Sequence, residues 1–323
     1  MSKPHLIIIS PALEQAHNGN WQTAHRWAHF LRTHYRVTLA THWDGASCDA
    51  MIALHARRSA TSIAAFAAAY PALPLIVVLT GTDLYRDIQH DEDAQRSLQL
   101  ATRLVVLQAA GLQELSPVLR SKASVIHQSA PVLKPVKKPA RHFAVMMIGH
   151  LRDEKDPVTF MRAVAHLQSA PVRLIHIGNA LDPALGAEAT ATQAAHHQYR
   201  WLGNVPHAVT RQRLKRSHLM VITSSMEGGA NVIVEALSSD VPVIASDISG
   251  NRGMLGADYE GYFPLGDSAG LAAAIDRAAS NAKFYARLQQ QCAARKSLFT
   301  PQQERVALLQ LVNFNLETAI ERA

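Results

Sequence analysis

The stretch that decides the fold lies at residues 219–250 and reads LMVITSSMEGGANVIVEALSSDVPVIASDISG. It opens with a short apolar run, 219–223, which is typical of a buried strand, and continues into a turn that contains two adjacent glycines. A helix is predicted to begin near residue 230, and a second apolar run, 241–245, predicts the next strand. A strand, a helix and a strand in this order are the repeating unit of a parallel sheet covered by helices.

The same alternation of short apolar runs with alanine-rich segments extends in both directions from this stretch. In the first half of the chain, strands are predicted at 6–9, 36–40, 50–54, 75–79, 103–107 and 124–126. In the second half, strands are predicted at 143–148, 172–177, 199–202, 219–223, 241–245 and 261–264. The alternation predicts an α/β protein with two doubly wound, Rossmann-like domains, whose strands end at a shared interdomain cleft.

Domain limits follow from length and from one interruption of the pattern. A chain of 323 residues suggests about two domains of roughly 150 residues each. Residues 134–139 contain three lysines and two prolines, which cannot continue a buried strand or helix, so they are interpreted as a linker. We expect a first domain at 1–138, a second domain at 139–298, and a C-terminal helix at 299–323 that packs back on the first domain.

Composition excludes several classes of protein. A hydrophobic fraction of 48% with 18% charged residues is ordinary for a globular protein and excludes wholesale disorder. The longest apolar stretches fall far short of the roughly 20 residues of a membrane helix, and residues 1–10 predict a first strand rather than a signal peptide. Cys48 and Cys292 stand far apart, which disfavours a disulfide framework or a zinc knuckle. We therefore expect a cytoplasmic protein with no membrane partner.

The net charge of +7 favours anionic ligands in general. Nucleic acid is disfavoured as a partner because the basic residues are scattered singly and only 6% of residues are aromatic. A small anion fits the deciding stretch better, since backbone N–H groups at a helix start point outward and the helix dipole favours negative charge there. The predicted helix start near residue 230 therefore suits a diphosphate.

Two carboxylates flank this predicted anion site. Glu227 lies in the turn and Glu235 lies inside the helix, so each can bind hydroxyl groups at opposite ends of one extended ligand. The alternative interpretation makes Glu227 an N-terminal helix charge and Glu235 a solvated helix residue. The apolar neighbours of Glu235 argue for a carboxylate that is paired with a donor or a ligand.

This pattern resembles the Glu-x7-Glu signature of the family-4 glycosyltransferases, which have the two-domain GT-B fold. The resemblance implies that the first glutamate approaches the donor sugar, that the glycine-rich helix start contacts the sugar and diphosphate, and that the second glutamate binds the ribose. It places catalytic roles on Lys155, Arg152 and Glu227. It places donor binding on His150, Val205, Gly228, Gly229, Ala230, Asn231 and Glu235.

A second match, at residues 149–157, reads GHLRDEKDP. The family usually has Gly-Arg-Leu followed by a lysine, with both cations neutralising the diphosphate. Lys155 is in place, but His150 stands where the arginine is expected, so either His150 or Arg152 is left to supply the missing charge. The alternative for Lys155 is a solvated loop lysine. A third segment, WLGNVP at 201–206, resembles the loop whose backbone contacts the nucleotide base.

Two polar segments, 17–27 and 79–87, follow predicted strands of the first domain and are expected to bind the acceptor. The assigned residues are Asn18, Gly19, Asn20, Trp21, Thr80, Gly81, Thr82, Asp83 and Arg86. Their small and amide side chains disfavour a lipid or a long glycan. The expected cations Arg86, His150, Arg152 and Lys155 favour a small, highly charged acceptor. The alternatives are a capping loop beside a core tryptophan for 18–21 and an Asp-containing turn for 80–83.

These segments, together with 149–157, resemble a narrower group, the selenosugar synthases of selenoneine biosynthesis. Such enzymes couple a UDP-sugar, for example UDP-N-acetylglucosamine or UDP-glucose, with selenophosphate, and they release UDP and phosphate. The alternatives are a family-4 transferase that acts on a sugar or other hydroxyl acceptor, a nucleotide-sugar epimerase, and a non-enzymatic nucleotide-sugar sensor.

The acidic run at 90–93 raises the question of a bound metal. Its Asp-x-Asp spacing suits a metal-bound nucleotide, but negative charge is also favoured at the start of a helix. We interpret it as a helix start. Fixed cations and backbone donors are able to stabilise a leaving diphosphate, so no cofactor and no essential metal are expected.

Overall fold

The computed structural model describes residues 3–12, 19–169 and 171–322. In these ranges the strands are β1 His5–Ile9, β2 Arg36–Ala40, β3 Ala50–Leu54, β4 Leu75–Leu79, β5 Arg103–Val106, β6 Ala123–Val125, β7 Phe143–Ile148, β8 Val172–Ile177, β9 Tyr199–Trp201, β10 Leu219–Ile222, β11 Val243–Ser246 and β12 Tyr262–Phe263. The helices are α1 Gly19–Leu31, α2 Ala60–Ala69, α3 Ile88–His90, α4 Glu92–Leu100, α5 Pro117–Ser121, α6 Pro157–Ala163, α7 Pro183–Ala195, α8 His207–Leu214, α9 Asn231–Ser238, α10 Ser249–Leu255, α11 Ser268–Ser280, α12 Ala282–Arg295 and α13 Pro301–Arg322.

The chain forms two compact units. The first contains Met1–Gln128, Glu227–Gly229 and Pro301–Ala323, and the second contains Ser129–Met226 and Ala230–Thr300. The division after Gln128 falls ten residues before the predicted limit at 138. The predicted domain limits, 1–138, 139–298 and 299–323, therefore stay predictions.

The first unit holds a six-stranded sheet in the order β2-β1-β3-β4-β5-β6, and all pairings among its described residues are parallel. Its central strands are buried on both faces, as β4 with its sequence LIVVL shows. Strand order reverses between β1 and β3, because β2 lies on one side of β1 and the later strands lie on the other. Ligands of such sheets bind at the carboxyl ends of the strands on either side of the reversal.

The second unit holds a six-stranded parallel sheet in the order β12-β11-β10-β7-β8-β9 among the described residues. Here the reversal lies between β7 and β10, which are paired through Leu219 with Val145 and Val221 with Met147. The predicted α/β fold with two doubly wound parallel sheets is therefore confirmed. The deciding stretch begins with β10, one of the two strands at the reversal.

The last helix, α13, packs on α1 inside the first unit. The Glu304 carboxylate on α13 accepts hydrogen bonds from Arg26 Nε at 2.7 Å, from Arg26 Nη2 at 3.0 Å and from Trp27 Nε1 at 2.8 Å. Trp27 and the Glu304 side chain are fully buried. This buried ion pair fixes the register of α13 on α1. Among the described residues, no helix has the length and apolar character needed to cross a bilayer.

Candidate functional site

The reversal point of the second sheet brings two of the predicted motifs together. The carboxyl end of β7 continues into residues 149–155, and the carboxyl end of its neighbour β10 continues into residues 223–226. Three hydrogen bonds join these segments: Thr223 Oγ1 donates to the Lys155 carbonyl at 2.7 Å, and Ser225 N and Oγ donate to the Glu154 carbonyl at 3.0 and 3.4 Å. The backbone that carries Lys155 is therefore held at the strand end where ligands of this fold bind.

Local structure also fixes the segment around Lys155. Residues Asp153–Lys155 form a 3₁₀ turn, and Asp156 adopts a left-handed conformation with φ of +41°. The Asp156 side chain then caps α6, accepting hydrogen bonds from Thr159 N at 3.3 Å and from Thr159 Oγ1 at 2.6 Å. The turn, the αL residue and the cap together define where the lysine side chain starts.

The side chains of His150 and Arg152 make different contacts. His150 Nδ1 accepts the Asn179 N–H at 3.1 Å, which ties the histidine to the segment after β8. Gly178 permits this close approach, because a Cβ there would lie 1.8 Å from the Gly149 carbonyl oxygen. Arg152 Nε lies 3.8 Å from Glu154 Oε2, and the Arg152 side chain is 39% exposed. Arg152 carries a permanent cation, whereas the Nδ1 atom of His150 already accepts a hydrogen bond.

Glu235 lies on α9 and is buried, with 8% of the residue exposed. Its Oε1 atom lies 2.6 Å from Nε2 of His207, the first residue of α8. The predicted pairing of this carboxylate with a donor is therefore found within the protein itself. Arg211 lies nearby, and burial lowers its pKa while the Glu235 charge acts in the opposite direction.

The predicted base-contacting loop lies immediately before α8. Val205 is partly buried against the core of the second unit, and its carbonyl accepts a hydrogen bond from Thr210 Oγ1 at 3.2 Å. His207, the partner of Glu235, follows Val205 by two residues, so the ribose-binding and base-binding predictions fall on neighbouring residues of one unit.

The start of α9 has the expected form. The helix begins at Asn231, and Ala230 is its N-cap, a residue without a side-chain oxygen to accept the first N–H groups. The first turn of α9 therefore has no side-chain cap for its backbone N–H groups, and the anion site at this helix start stays a prediction.

Glu227, Gly228 and Gly229 group with the first unit. The structure gives a packing reason for both glycines: a Cβ on Gly228 would lie 2.4 Å from the Thr80 carbonyl carbon, and one on Gly229 would lie 2.5 Å from Leu107 Cβ. These positions require glycine whether or not a ligand is bound. Glu227 is buried, with 7% of the residue exposed.

In the first unit, Asp83 organises the turn after β4. Its Oδ1 accepts the N–H groups of Thr80 and Gly81 at 2.9 and 2.8 Å, and its Oδ2 accepts the Ala56 N–H at 3.0 Å. Asp83 is fully buried. These contacts match the Asp-containing turn, which was the alternative interpretation of residues 80–83. Thr82 lies in this turn and is partly exposed.

The other acceptor residues lie at the surface of the first unit. Gly19, Asn20 and Trp21 form the first turn of α1, where Trp21 stacks on His25 with ring centroids 5.0 Å apart. Trp21 is partly exposed, and Trp27 is the core tryptophan of this helix. Asn18 lies outside the described residues.

Arg86 and the acidic run at 90–93 lie on the helical turns after β4. Arg86 Nε lies 3.1 Å from Asp87 Oδ1, and the arginine side chain is 48% exposed. The predicted helix start is confirmed, since Asp91 caps α4 by accepting the Ala94 N–H at 2.9 Å, and its Oδ2 lies 2.8 Å from Arg57 Nε. Within the described ranges, no group of three or more histidine, cysteine, aspartate or glutamate side chains is arranged to hold a metal ion.

Two histidines at these strand and helix ends were missed by the sequence analysis. His207 pairs with Glu235, and His55, directly after β3, hydrogen-bonds Thr82. A polar residue directly after a buried strand was a usable signal for His55. His207 gave no such signal, because its partner lies 28 residues away in the sequence.

Comparisons with known proteins place the second half of the chain in a family. A family model described as "Glycosyl transferases group 1" matches residues 132–295. Glycosyltransferase 1 domain-containing protein 1 of Xenopus tropicalis is 25% identical over 206 residues, which cover 57% of this chain and 59% of that protein. The putative teichuronic acid biosynthesis glycosyltransferase TuaC of Bacillus subtilis (strain 168) is 31% identical over 130 residues, which cover 40% of this chain and 31% of that protein. The chain thus spans less than two thirds of either relative.

Solved structures resemble the whole chain. HepE from Anabaena, in complex with UDP and glucose, superimposes with a TM-score of 0.74 at 17% identity, covering 98% of this chain and 100% of that chain. Sucrose-phosphate synthase from Thermosynechococcus elongatus gives a TM-score of 0.78 at 15% identity with the same coverage. At such identities the similarity shows the fold alone, and it confirms the predicted GT-B fold.

Proposed function

Because the chain belongs to the group 1 glycosyl transferases, we propose that it transfers a sugar from a UDP-sugar to a small acceptor. The observation that carries this proposal is the junction at the reversal of the second sheet, where the Lys155 segment is hydrogen-bonded to the end of β10. HepE, which has the same fold, has been solved with UDP and with UDP-glucose. Those complexes support a uridine nucleotide as the donor.

Each donor-side residue then has a distinct task. Glu235 accepts hydrogen bonds from the ribose hydroxyls, and the backbone near Val205 contacts the base. Lys155 neutralises the diphosphate, with Arg152 or His150 as the second cation, and the permanent charge of the guanidinium favours Arg152. The start of α9, at Ala230 and Asn231, together with Gly228 and Gly229, accommodates the sugar and the diphosphate, and Glu227 contacts the sugar.

The chemical step breaks the bond between the anomeric carbon and the oxygen of the β-phosphate. The electron pair of that bond moves to the diphosphate oxygen, so negative charge grows there as the sugar leaves. The Lys155 ammonium and the N–H groups of the first turn of α9 stabilise that charge. A nucleophile supplies the electron pair for the new bond at the anomeric carbon.

For the acceptor, we propose selenophosphate. Its selenium attacks the anomeric carbon and forms the C–Se bond, and cleavage of the Se–P bond by water then gives the 1-seleno-sugar and phosphate. The resemblance of segments 17–27 and 79–87 to selenosugar synthases supports this choice. The buried Asp83 carboxylate also supports it, because its oxygens are occupied by three backbone N–H groups and are unsuited to deprotonate a hydroxyl. An anionic nucleophile needs no such base.

The second candidate acceptor is a sugar or other hydroxyl. It is favoured by the relationship to TuaC, whose name places that protein in teichuronic acid biosynthesis. The two candidates share the donor, the leaving group and the role of Lys155. They differ in the nucleophile and in the need for a base.

Rates of UDP release with each nucleophile test the proposal. With selenophosphate we expect rapid release of UDP and an equal amount of a selenium-containing sugar, and with hydroxyl acceptors we expect little release. Asn20→Ala is expected to lose the selenophosphate reaction but to bind UDP normally, whereas Gln290→Ala, at an exposed position on α12, is expected to change neither. Efficient formation of a selenium-free glycoside would overturn selenophosphate as the acceptor and leave glycosyl transfer standing.

A further inference from the structure

His55 occupies a special backbone position in the first unit. It is the first residue after β3, one of the two strands at the reversal of the sheet, and its own N–H donates to the Val78 carbonyl at 2.8 Å. Its φ of +71° lies in the left-handed region, which is uncommon for residues other than glycine and costs about 1 kcal/mol or more. The residue is 2% exposed, so the surrounding structure holds an unfavourable conformation in place.

The hydrogen bonds of the imidazole define its tautomer. The Arg58 N–H donates to Nδ1 at 3.3 Å, and a backbone N–H is only a donor, so Nδ1 carries the lone pair. Nε2 then carries the proton and donates it to Thr82 Oγ1 at 3.0 Å. Burial is the main factor that lowers the pKa of His55, and Arg58 lowers it further, against the opposing effect of Asp83 and Asp87. The imidazole is therefore neutral.

The charged groups around the imidazole are more distant than its hydrogen-bond partners. Asp83 Oδ2 lies 3.9 Å from Nδ1, and Asp87 Oδ2 lies 4.0 Å from Nε2. Asp83 is already occupied by backbone N–H groups, and Asp87 lies 3.1 Å from Arg86 Nε. Of these contacts of Nε2, the one to Thr82 Oγ1 is shorter than the one to Asp87 Oδ2.

The direction of this bond determines what Thr82 offers to a ligand. A hydroxyl that accepts the Nε2 proton is left with its own proton to donate elsewhere. Thr82 is partly exposed and directly precedes the helical turn Asp83–Asp87, in the segment to which acceptor binding is assigned. We propose that His55 is a positioning residue that holds the Thr82 hydroxyl as a hydrogen-bond donor to an oxyanion of the acceptor, an inference that rests on the proposed function.

This arrangement fits an anionic acceptor better than a neutral alcohol. A donor hydroxyl stabilises a phosphate-type oxygen, and charge-assisted hydrogen bonds are about twice as strong as neutral ones. His55 is unsuited to be a general base, since its lone pair at Nδ1 is bonded to Arg58 N–H and its Nε2 is a donor. The pair therefore binds and orients the acceptor without removing a proton from it.

A double-mutant cycle with inorganic phosphate and with selenophosphate tests this inference. His55→Ala and Thr82→Val are each expected to weaken binding of inorganic phosphate to the UDP-bound protein by about tenfold, measured by calorimetry. Because His55 acts through Thr82, the double variant is expected to lose no more affinity for phosphate than Thr82→Val loses alone. His55→Gln, which keeps an N–H donor, and Thr82→Ser, which keeps the hydroxyl, are expected to recover part of the loss.

The matched control is the pair His5 and Thr38 of the same sheet, where His5 is the first residue of β1 and Thr38 lies in the middle of β2. His5 Nε2 lies 2.9 Å from Thr38 Oγ1, and His5 is buried, so His5→Ala removes the same kind of bond away from the carboxyl ends. We expect His5→Ala to leave phosphate binding and the KM for selenophosphate unchanged. The same set of proteins is then assayed for UDP release with selenophosphate, where the losses are expected in KM for selenophosphate and not in KM for the UDP-sugar.

Three outcomes separate the inference from the function on which it rests. Additive losses in His55→Ala with Thr82→Val, or no recovery in His55→Gln and Thr82→Ser, overturn the positioning role even when the wild type consumes UDP-sugar. A wild type that binds phosphate with the expected coupling but releases no UDP overturns the proposed function and leaves the oxyanion site standing. Absence of phosphate binding and of selenophosphate turnover in the wild type overturns the inference.

Discussion

Glu304 is the residue whose removal should most clearly destabilise the first unit. Its carboxylate accepts three hydrogen bonds, two from Arg26 and one from Trp27, and the Glu304 side chain is fully buried while the Arg26 side chain is 16% exposed. In Glu304→Gln the new amide NH₂ meets a donor of Arg26, and the guanidinium loses its counter-charge. Breaking a buried ion pair on one side costs about 3–5 kcal/mol, which sets the expected loss of unfolding free energy.

Urea denaturation followed by circular dichroism measures this loss. The midpoint for the first unit is expected to fall in Glu304→Gln, and the control Glu321→Gln, at an exposed position on the same helix, is expected to unfold like the wild type. A loss below about 1 kcal/mol in Glu304→Gln would refute the reasoning, because an exposed ion pair contributes no more than that.

Three further predictions concern the second unit. Lys155→Ala is expected to lower kcat by about a hundredfold, because negative charge grows on the diphosphate as the sugar bond breaks. Steady-state kinetics measure this loss, and a rise in the KM for the donor with unchanged kcat would contradict the prediction. Glu235→Ala is expected to weaken UDP binding by about tenfold to a hundredfold, or roughly 1.5–3 kcal/mol, by calorimetry; unchanged affinity in a folded variant removes Glu235 from the site. Burial lowers the pKa of His176 from 6.5 to about 4. As the pH falls through this range, the unfolded state takes up a proton before the folded state does, so folding stability is lost between about pH 6.5 and 4. A urea midpoint that falls equally with pH in His176→Phe would argue against this cause.

Much of the fold was predictable because many of its strands are short, mainly apolar runs, and the central ones are buried on both faces. Strands β3, β4 and β8 begin and end at the predicted residues. The predicted strand at 241–245 instead begins at Val243, because Pro242 has no N–H to donate to the sheet, although its carbonyl still accepts the Met220 N–H. The ends of strands were less predictable where they depend on a neighbour's hydrogen bonds.

The candidate site was predictable where it depends on local sequence. The Lys155 segment and the start of α9 are short motifs, and the structure has a turn at the first and a helix start at the second. His55 and His207 were missed because each bonds a residue 27 or 28 positions away, and only the folded sheet brings these partners together. Likewise, the motif around Gly228 suggested only a ligand-based reason for the glycine, and the folded chain adds a packing reason.

Transfer of a sugar from a UDP-sugar is the activity on which every proposed residue role depends. The most direct test incubates the purified protein with UDP-glucose and UDP-N-acetylglucosamine, each with selenophosphate or with hydroxyl acceptors, and identifies all products by mass spectrometry. We expect UDP together with an equal amount of a sugar that is newly bonded to the acceptor through its anomeric carbon, and we expect loss of both products in Lys155→Ala. Intact UDP-sugar after prolonged incubation with protein that binds it, or a UDP-sugar changed only in the configuration of its sugar, would contradict glycosyl transfer.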